Sequence, residues 1–239
     1  MFIWTELLLR PIFNFLVYLY NVIPGQDLGI AIIVLTIAIR LLLFPLNKKS
    51  IVSQRALQKV QPQIEELKAK YKDQKDKLGK EMMALYKREK INPFSSCLPL
   101  LIQLPILIAV YRVFIHLLNG DSLERFLYPF VTHPGVIDTW AFGFINLADK
   151  NIYLAVMAGA AQFWQTKMLM NKNEKRGGMA SAMNKQMLYM MPVFTVVIGS
   201  TFPAGLTLYW FTTTLLSGLQ QVWMIRRGEI TQDKKSEDK

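Results

Sequence analysis

The chain has 239 residues, of which 52% are hydrophobic, and it carries a formal net charge of +11. Apolar and basic residues lie in separate stretches, and several apolar windows meet or approach the roughly 20 residues that a bilayer span needs. This distribution argues against an ordinary soluble globule and favours an integral membrane protein. A single cysteine, Cys97, excludes an intramolecular disulfide, and no motif predicts a metal or a cofactor.

The N-terminal segment, residues 1–27, is apolar but is interrupted by Arg10 and Pro11. Aromatic side chains such as Trp4, Phe15 and Tyr18 are typical of the boundary between lipid and water. We therefore expect an amphipathic helix that lies on the outer membrane surface rather than a full span.

Five apolar segments follow, and they predict an all-α integral membrane protein built as a five-helix transmembrane bundle. The first span, residues 28–46, is interrupted only by Thr36 and Arg40, and Pro45 and Asn47 are expected to end it. The other spans are expected at 93–118, 151–170, 187–201 and 206–225. Together they define a core over residues 28–226, followed by a disordered tail at 227–239.

Residues 47–92, between the first two spans, contain 11 Lys and 2 Arg against 6 Asp and Glu. Apolar residues recur every three or four positions, which predicts two amphipathic helices joined near 73–79 as a hairpin outside the membrane. The residues concerned are Val60, Ile64, Leu67, Tyr71, Leu78, Met82 and Leu85. Such a basic surface is compatible with a solvated face, with anionic lipid, and with RNA or ribosome phosphates.

The uneven distribution of Lys and Arg among the segments between the spans predicts the orientation of the chain in the membrane. Segments 47–92, 171–186 and 226–239 carry 13, 4 and 5 Lys and Arg, whereas 119–150 carries 2 and 1–27 carries only Arg10. Because basic loops stay in the cytoplasm, we expect an external N-terminus and a cytoplasmic C-terminus.

Arg40 is the candidate functional residue, with twelve residues of its span before it and six after it. Two explanations remain open: snorkelling of the side chain to the cytoplasmic interface, or a cation held in a wet cavity. The five predicted spans contain no Asp or Glu, so Arg40 needs water, carbonyl groups or an incoming anion. The same absence argues against an enzyme and against a proton-coupled transporter.

Other polar side chains in the spans are typical of hydrogen bonds between helices. They include Gln103, Gln162, Gln165, Thr207, Thr212, Thr213, Thr214, Ser217, Gln220 and Gln221.

Four segments, in this order, resemble the YidC/Oxa family of membrane protein insertases: GIAIIVLTIAIRLLLFPL, NPFSSCLPLLIQLPILIAVYRVF, QFWQTKM with MLYMMPVFTVVI, and FPAGLTLYWFTTTLLSGLQQ. The resemblance covers roughly residues 28–226. It implies five core spans, a cytoplasmic hairpin, and a hydrophilic groove that is open to the cytoplasm and to lipid. By motif position, the groove would include Arg40, Gln103, Gln165 and Trp210. We add Thr36, Gln162, Thr207 and Tyr209 to the predicted groove.

The resemblance implies a non-enzymatic insertase in the bacterial inner membrane, with nascent membrane proteins and the lipid bilayer as partners. The ribosome, the signal recognition particle receptor and the Sec translocon are further candidate partners, and sequence-specific nucleic acid binding is not expected. The alternatives are a small anion channel or transporter built around Arg40, and a scaffold for membrane protein assembly. The sequence shows no lipoprotein signal cysteine and no large external domain, which other members have.

Overall fold

The computed structural model describes residues 4–92, 98–119, 123–169 and 179–228, and this part of the chain is mostly helical. After a π-helical turn at Thr5–Leu9, its α-helices are α1 (Arg10–Val22), α2 (Leu28–Leu42), α3 (Phe44–Lys59), α4 (Gln61–Lys70), α5 (Lys75–Arg88), α6 (Leu98–Asn119), α7 (Leu123–Phe126), α8 (Ile152–Leu169), α9 (Met179–Gly199) and α10 (Ala204–Arg226). Two short antiparallel strands, β1 (Trp140–Ala141) and β2 (Ile145–Asn146), form a hairpin between α7 and α8.

The N-terminal helix α1 is amphipathic. Phe13, Leu16 and Val17 are buried on the face that packs against α2 and α6, whereas Phe15 and Tyr18 are exposed on the other face. This 3.6-residue periodicity matches the predicted amphipathic helix. Its position on the membrane surface stays a prediction.

The first predicted span differs from the expectation at its end. Instead of continuing to residue 46, α2 stops at Leu42, and the chain bends by 68° into α3. The reason is Pro45 in the first turn of α3: proline has no N–H for the carbonyl of Leu41, and its ring crowds that carbonyl. The break at Leu43 therefore lies three residues after Arg40.

The basic segment contains α3, α4 and α5 rather than only two helices. The buried side chains of Val60, Ile64 and Leu85 join α4 to α5. The connection between α4 and α5 spans residues 71–74, because α5 begins at Lys75 and includes Gly79. The sequence therefore placed the junction of the two hairpin helices, near 73–79, a few residues too close to the C-terminus.

Close packing joins α8 to both α9 and α10. A Cβ atom at Gly159 would lie 2.4 Å from a methyl carbon of Val196, and one at Gly218 would lie 2.2 Å from the ring of Trp164. These two glycines let neighbouring helices approach closely, as small residues do in membrane bundles. The packing of α8 on α9 and α10 thus depends on positions without a side chain.

Helix bounds agree with some of the predicted spans and shift others. Helix α8 matches 151–170 within a residue at each end, whereas α9 begins at Met179 rather than at 187, and α10 begins at Ala204 rather than at 206. Residues 1–3, 93–97, 120–122, 170–178 and 229–239 lie outside the described residues. They include the start of the second predicted span, the last residue of the third, the first half of the basic segment 171–186 and nearly all of the predicted tail.

Length and hydropathy alone identify one described segment that can cross a bilayer, Leu101–Leu118 in α6. A second is added if the bent pair α2 and α3 is counted as a single span. The five-span arrangement therefore stays a prediction.

The segment between α7 and α8 is fixed to α1 by hydrogen bonds. Asn14, which is 3% exposed, donates from Nδ2 to the carbonyl of Phe126 (2.8 Å) and accepts at Oδ1 from the N–H of Tyr128 (2.7 Å). The Tyr20 hydroxyl accepts from the N–H of Asp138 at 2.8 Å. These contacts join parts of the chain that are more than 100 residues apart in sequence.

Candidate functional site

Arg40 lies on the last turn of α2 and is partly buried. Its Nη2 donates a hydrogen bond of 3.2 Å to the backbone carbonyl of Thr213 on α10. The Ser217 hydroxyl donates to the same carbonyl at 2.8 Å. Among the described residues, no carboxylate lies within ion-pair distance of Arg40. A neutral carbonyl therefore holds the cation in place of an acidic side chain.

A second contact connects α6 to this point. Gln103 donates from Nε2 to the hydroxyl of Tyr209 at 2.9 Å. Tyr209 is 1% exposed and lies one helical turn before Thr213, whose carbonyl accepts from Arg40. We call Arg40, Gln103, Tyr209, Thr213 and Ser217 the polar layer. It joins α2, α6 and α10 at one level of the bundle.

Three of the predicted groove residues, Arg40, Gln103 and Tyr209, thus come together in the polar layer. Thr36 is buried one turn before Arg40, and its hydroxyl donates to the carbonyl of Ile32 within α2 (2.6 Å). Thr207 donates to the carbonyl of Gly199 at 2.9 Å, so it joins α10 to the end of α9. The hydroxyls of both threonines are therefore satisfied by backbone carbonyls.

The remaining predicted groove residues lie outside this hydrogen-bonded set. Gln162 and Gln165 on α8 and Trp210 on α10 are partly buried. Within the described ranges, neither glutamine makes a side-chain hydrogen bond. Their amide groups are thus left to water or to another molecule, which is consistent with a wet space next to the polar layer.

Two arginines have contacts that the sequence does not predict. Arg55 on α3 donates from Nη2 to the carbonyl of Met168, which ties the basic segment to the end of α8. Arg112 on α6 lies within the apolar segment Leu101–Leu118, and its guanidinium carbon is 5.0 Å from the centre of the Trp4 ring. The sequence does reveal that Arg112 is a charged residue inside an apolar segment. It does not reveal the partner of Arg55, because that partner is a backbone carbonyl and every residue has one.

The chemistry open to the polar layer is electrostatic. It offers one guanidinium, hydroxyl and amide groups, and no nucleophile paired with a base. In the part of the chain that the structure describes, no three His, Cys, Asp or Glu side chains converge as metal ligands. The polar layer can therefore attract an anion or hydrate a polar segment, and it carries no donor set for a metal.

Comparison with known proteins adds independent findings. The family model described as 60Kd inner membrane protein matches residues 18–233. A Fusobacterium nucleatum protein named membrane protein insertase YidC is 34% identical over 220 residues, which cover 90% of this chain and 95% of that protein. Proteins of the same name from Campylobacter jejuni and Nitratidesulfovibrio vulgaris are 34% and 33% identical, each over 94% of this chain. The chain spans only 38% and 39% of the length of these two relatives.

Proposed function

Because the chain belongs to the 60Kd inner membrane protein family, that is, the YidC/Oxa family, we propose that it is a membrane protein insertase of the bacterial inner membrane. Its partners are nascent membrane proteins and the lipid bilayer. It carries out no covalent chemistry, and it uses a groove between the predicted spans, formed around the polar layer.

The observation that carries the mechanism is the bond between Arg40 and the Thr213 carbonyl. Because no carboxylate in the described ranges pairs with Arg40, its guanidinium is available to attract an incoming anion. In a membrane setting, a cation within a spanning helix is costly unless water or protein groups solvate it. An acidic residue in the translocated segment of a substrate supplies the missing counter-charge, and the nearby hydroxyl and amide groups lower the cost of dehydrating that segment.

Energy for the transfer comes from the substrate and from the membrane potential. The apolar part of the substrate gains free energy by partitioning into lipid, while the potential favours outward movement of negative charge by about 2.3 kcal/mol per charge per 100 mV. The apolar part of α9, Gln186–Gly199, is about 21 Å long at ~1.5 Å per residue, which is shorter than a hydrocarbon core of ~30 Å. Local thinning of the bilayer around it would lower the barrier further.

The orientation follows the distribution of charge. The N-terminus is outside, and α4 and α5 form a cytoplasmic hairpin that meets the nascent chain. The ribosome, the signal recognition particle receptor and the Sec translocon are the partners that this placement allows. The basic surface of α4 and α5 suits contacts with phosphate groups and with acidic protein surfaces.

Insertion of matched substrates tests the role of the charge. We compare two single-span substrates whose short external tails differ only in replacement of Asp and Glu by Asn and Gln. Arg40→Ala should slow insertion of the acidic substrate about tenfold or more, which corresponds to about 1.4 kcal/mol or more of lost stabilisation. The same variant should leave the neutral substrate nearly unaffected, and Arg40→Lys should recover most of the insertion rate.

Arg112→Gln serves as the matched control, because it removes another arginine from an apolar segment without altering the polar layer. Protease protection of the tail in proteoliposomes measures insertion, and an unfolding titration confirms that each variant is folded. Normal insertion of the acidic substrate by both Arg40 variants refutes the electrostatic mechanism. Normal insertion of both substrates in cells depleted of the protein refutes the insertase function itself.

A further inference from the structure

Residues 126–148, which we call the aromatic loop, have an unusual composition for a connection in water. These 23 residues contain six Phe, Tyr and Trp, no Lys or Arg, and a single carboxylate, that of Asp138. Loops exposed to water are rich in polar and charged residues, because they run over the protein surface. The composition of the aromatic loop is instead typical of the boundary between lipid headgroups and acyl chains.

Several apolar side chains of the aromatic loop point away from the protein. Phe130 is 82% exposed, Phe144 is 71% exposed, and Trp140 is 52% exposed. Phe142 is also exposed, and its ring centre lies 6.1 Å from that of Phe144. Apolar surface of this kind marks contact with a partner or a membrane.

The exposed aromatic side chains are held by an ordered scaffold. In addition to the bonds of Asn14 and Tyr20 to the loop, the Asp27 carboxylate accepts from the N–H of Phe142 (2.5 Å) and from that of Ile30 at the start of α2 (3.0 Å). The side chain of Asp138 accepts from the N–H of Trp140 at 2.9 Å. The only carboxylate of the loop is thus engaged locally, and the hairpin is fixed to the start of α2.

The exposed surface of the loop continues onto α1. Tyr18 and Val22 of α1 and Phe130 of the loop line one open cavity of about 430 Å³, and Tyr18 and Val22 are themselves more than half exposed. Asn21 donates to the carbonyl of Thr132 at 2.7 Å beside this cavity. The amphipathic helix and the aromatic loop therefore share one exposed surface, in which aromatic and aliphatic side chains alternate with polar ones such as Asn21 and Thr132.

We propose that the aromatic loop is embedded, together with α1, in the interface of the outer leaflet, with Phe144 and Trp140 directed toward the acyl chains. The partner of this surface is the phospholipid interface. Two observations favour lipid over a protein partner: the loop connects the ends of α6 and α8, and its surface continues onto the amphipathic face of α1. The proposal rests on the proposed membrane topology, but it does not depend on insertase activity.

Spin labelling tests it in the purified full chain without any substrate. In a Cys97→Ser background, which removes the only cysteine, a nitroxide is attached at Phe144→Cys in liposomes of phosphatidylethanolamine and phosphatidylglycerol. Collision with oxygen, which concentrates in lipid, is compared with collision with a water-soluble nickel chelate. Ile108→Cys, exposed on α6, is the lipid control, and Lys80→Cys, exposed on α5, is the water control.

We expect the oxygen-to-nickel ratio at position 144 to exceed that at position 80 several-fold and to approach the ratio at position 108. A ratio equal to that at position 80 overturns the proposal, and so does low collision with both reagents, which indicates a protein cover. A label at Trp140→Cys repeats the measurement at a second exposed site, so that a local distortion at one label does not decide the result. Loss of insertion activity leaves these ratios unchanged, which separates this test from that of the proposed function.

Discussion

Replacement of Asn14 tests whether the buried hydrogen bonds of α1 fix the aromatic loop. In Asn14→Ala, the N–H of Tyr128 loses its partner in a site where the asparagine is 3% exposed, and the carbonyl of Phe126 keeps only the long hydrogen bond from Arg10 Nε (3.4 Å). A buried backbone group left without a partner costs about 1–3 kcal/mol, and these two hydrogen bonds are only partly buried, so we take the lower end for each. The expected loss is about 1–2 kcal/mol of unfolding free energy, because the carbonyl of Phe126 retains the hydrogen bond from Arg10.

The matched control is Asn21→Ala. Asn21 lies on the same helix and makes a single exposed hydrogen bond to the loop, at Thr132. Its removal should cost no more than about 0.5–1 kcal/mol, because water can replace an exposed partner. Reversible unfolding in mixed micelles, followed by tryptophan fluorescence, measures both variants. The reasoning is refuted if Asn14→Ala lies within about 0.5 kcal/mol of the parent, or if the two variants lose equal stability.

Three further predictions concern packing and the polar layer. Gly218→Ala should force apart α8 and α10 and lower the unfolding free energy, because the added Cβ would lie 2.2 Å from the Trp164 ring. Trp164→Leu in the same chain should restore part of that stability. Tyr209→Phe and Gln103→Leu remove the same hydrogen bond, so a double-mutant cycle of unfolding free energies should give a coupling of about 0.5–1.5 kcal/mol, and a coupling of zero contradicts the contact. Leu85→Ala should cost about 2–3 kcal/mol and speed proteolysis of α4 and α5, with little effect on cleavage elsewhere.

Hydrophobic periodicity predicts the helices well, because it depends on residues near one another in sequence. The amphipathic face of α1 shows this periodicity, whereas α8 was predicted from a largely apolar stretch long enough to span a bilayer, residues 151–170. The bend at Leu43 was missed because the sequence marks Pro45 as an end, whereas in the structure Pro45 also begins the next helix. The start of α9 was placed too late for a related reason: helix propensity extends it beyond its apolar part.

The residues of the candidate site could be predicted from the sequence, but their hydrogen-bond partners could not. A charge in an apolar segment identifies Arg40, and polar positions in the spans indicate Gln103 and Tyr209. Sequence alone does not indicate that Arg40 is held by the backbone carbonyl of Thr213, because every residue has a carbonyl and only the relative position of α2 and α10 selects one. The acceptor for Arg55 at Met168 was missed on the same grounds.

The hydrogen bonds of α1 also impose an order of events during synthesis. Asn14 leaves the ribosome 112 residues before its partner Phe126, and Tyr20 precedes Asp138 by 118 residues. At about 5–20 residues per second, α1 waits roughly 6–24 s for these partners. During that interval α2 to α6 are made while the polar side chains on the inner face of α1 still contact water or lipid headgroups. Helix α1, which is made before α2 to α6, is therefore locked in place only after they have been synthesised.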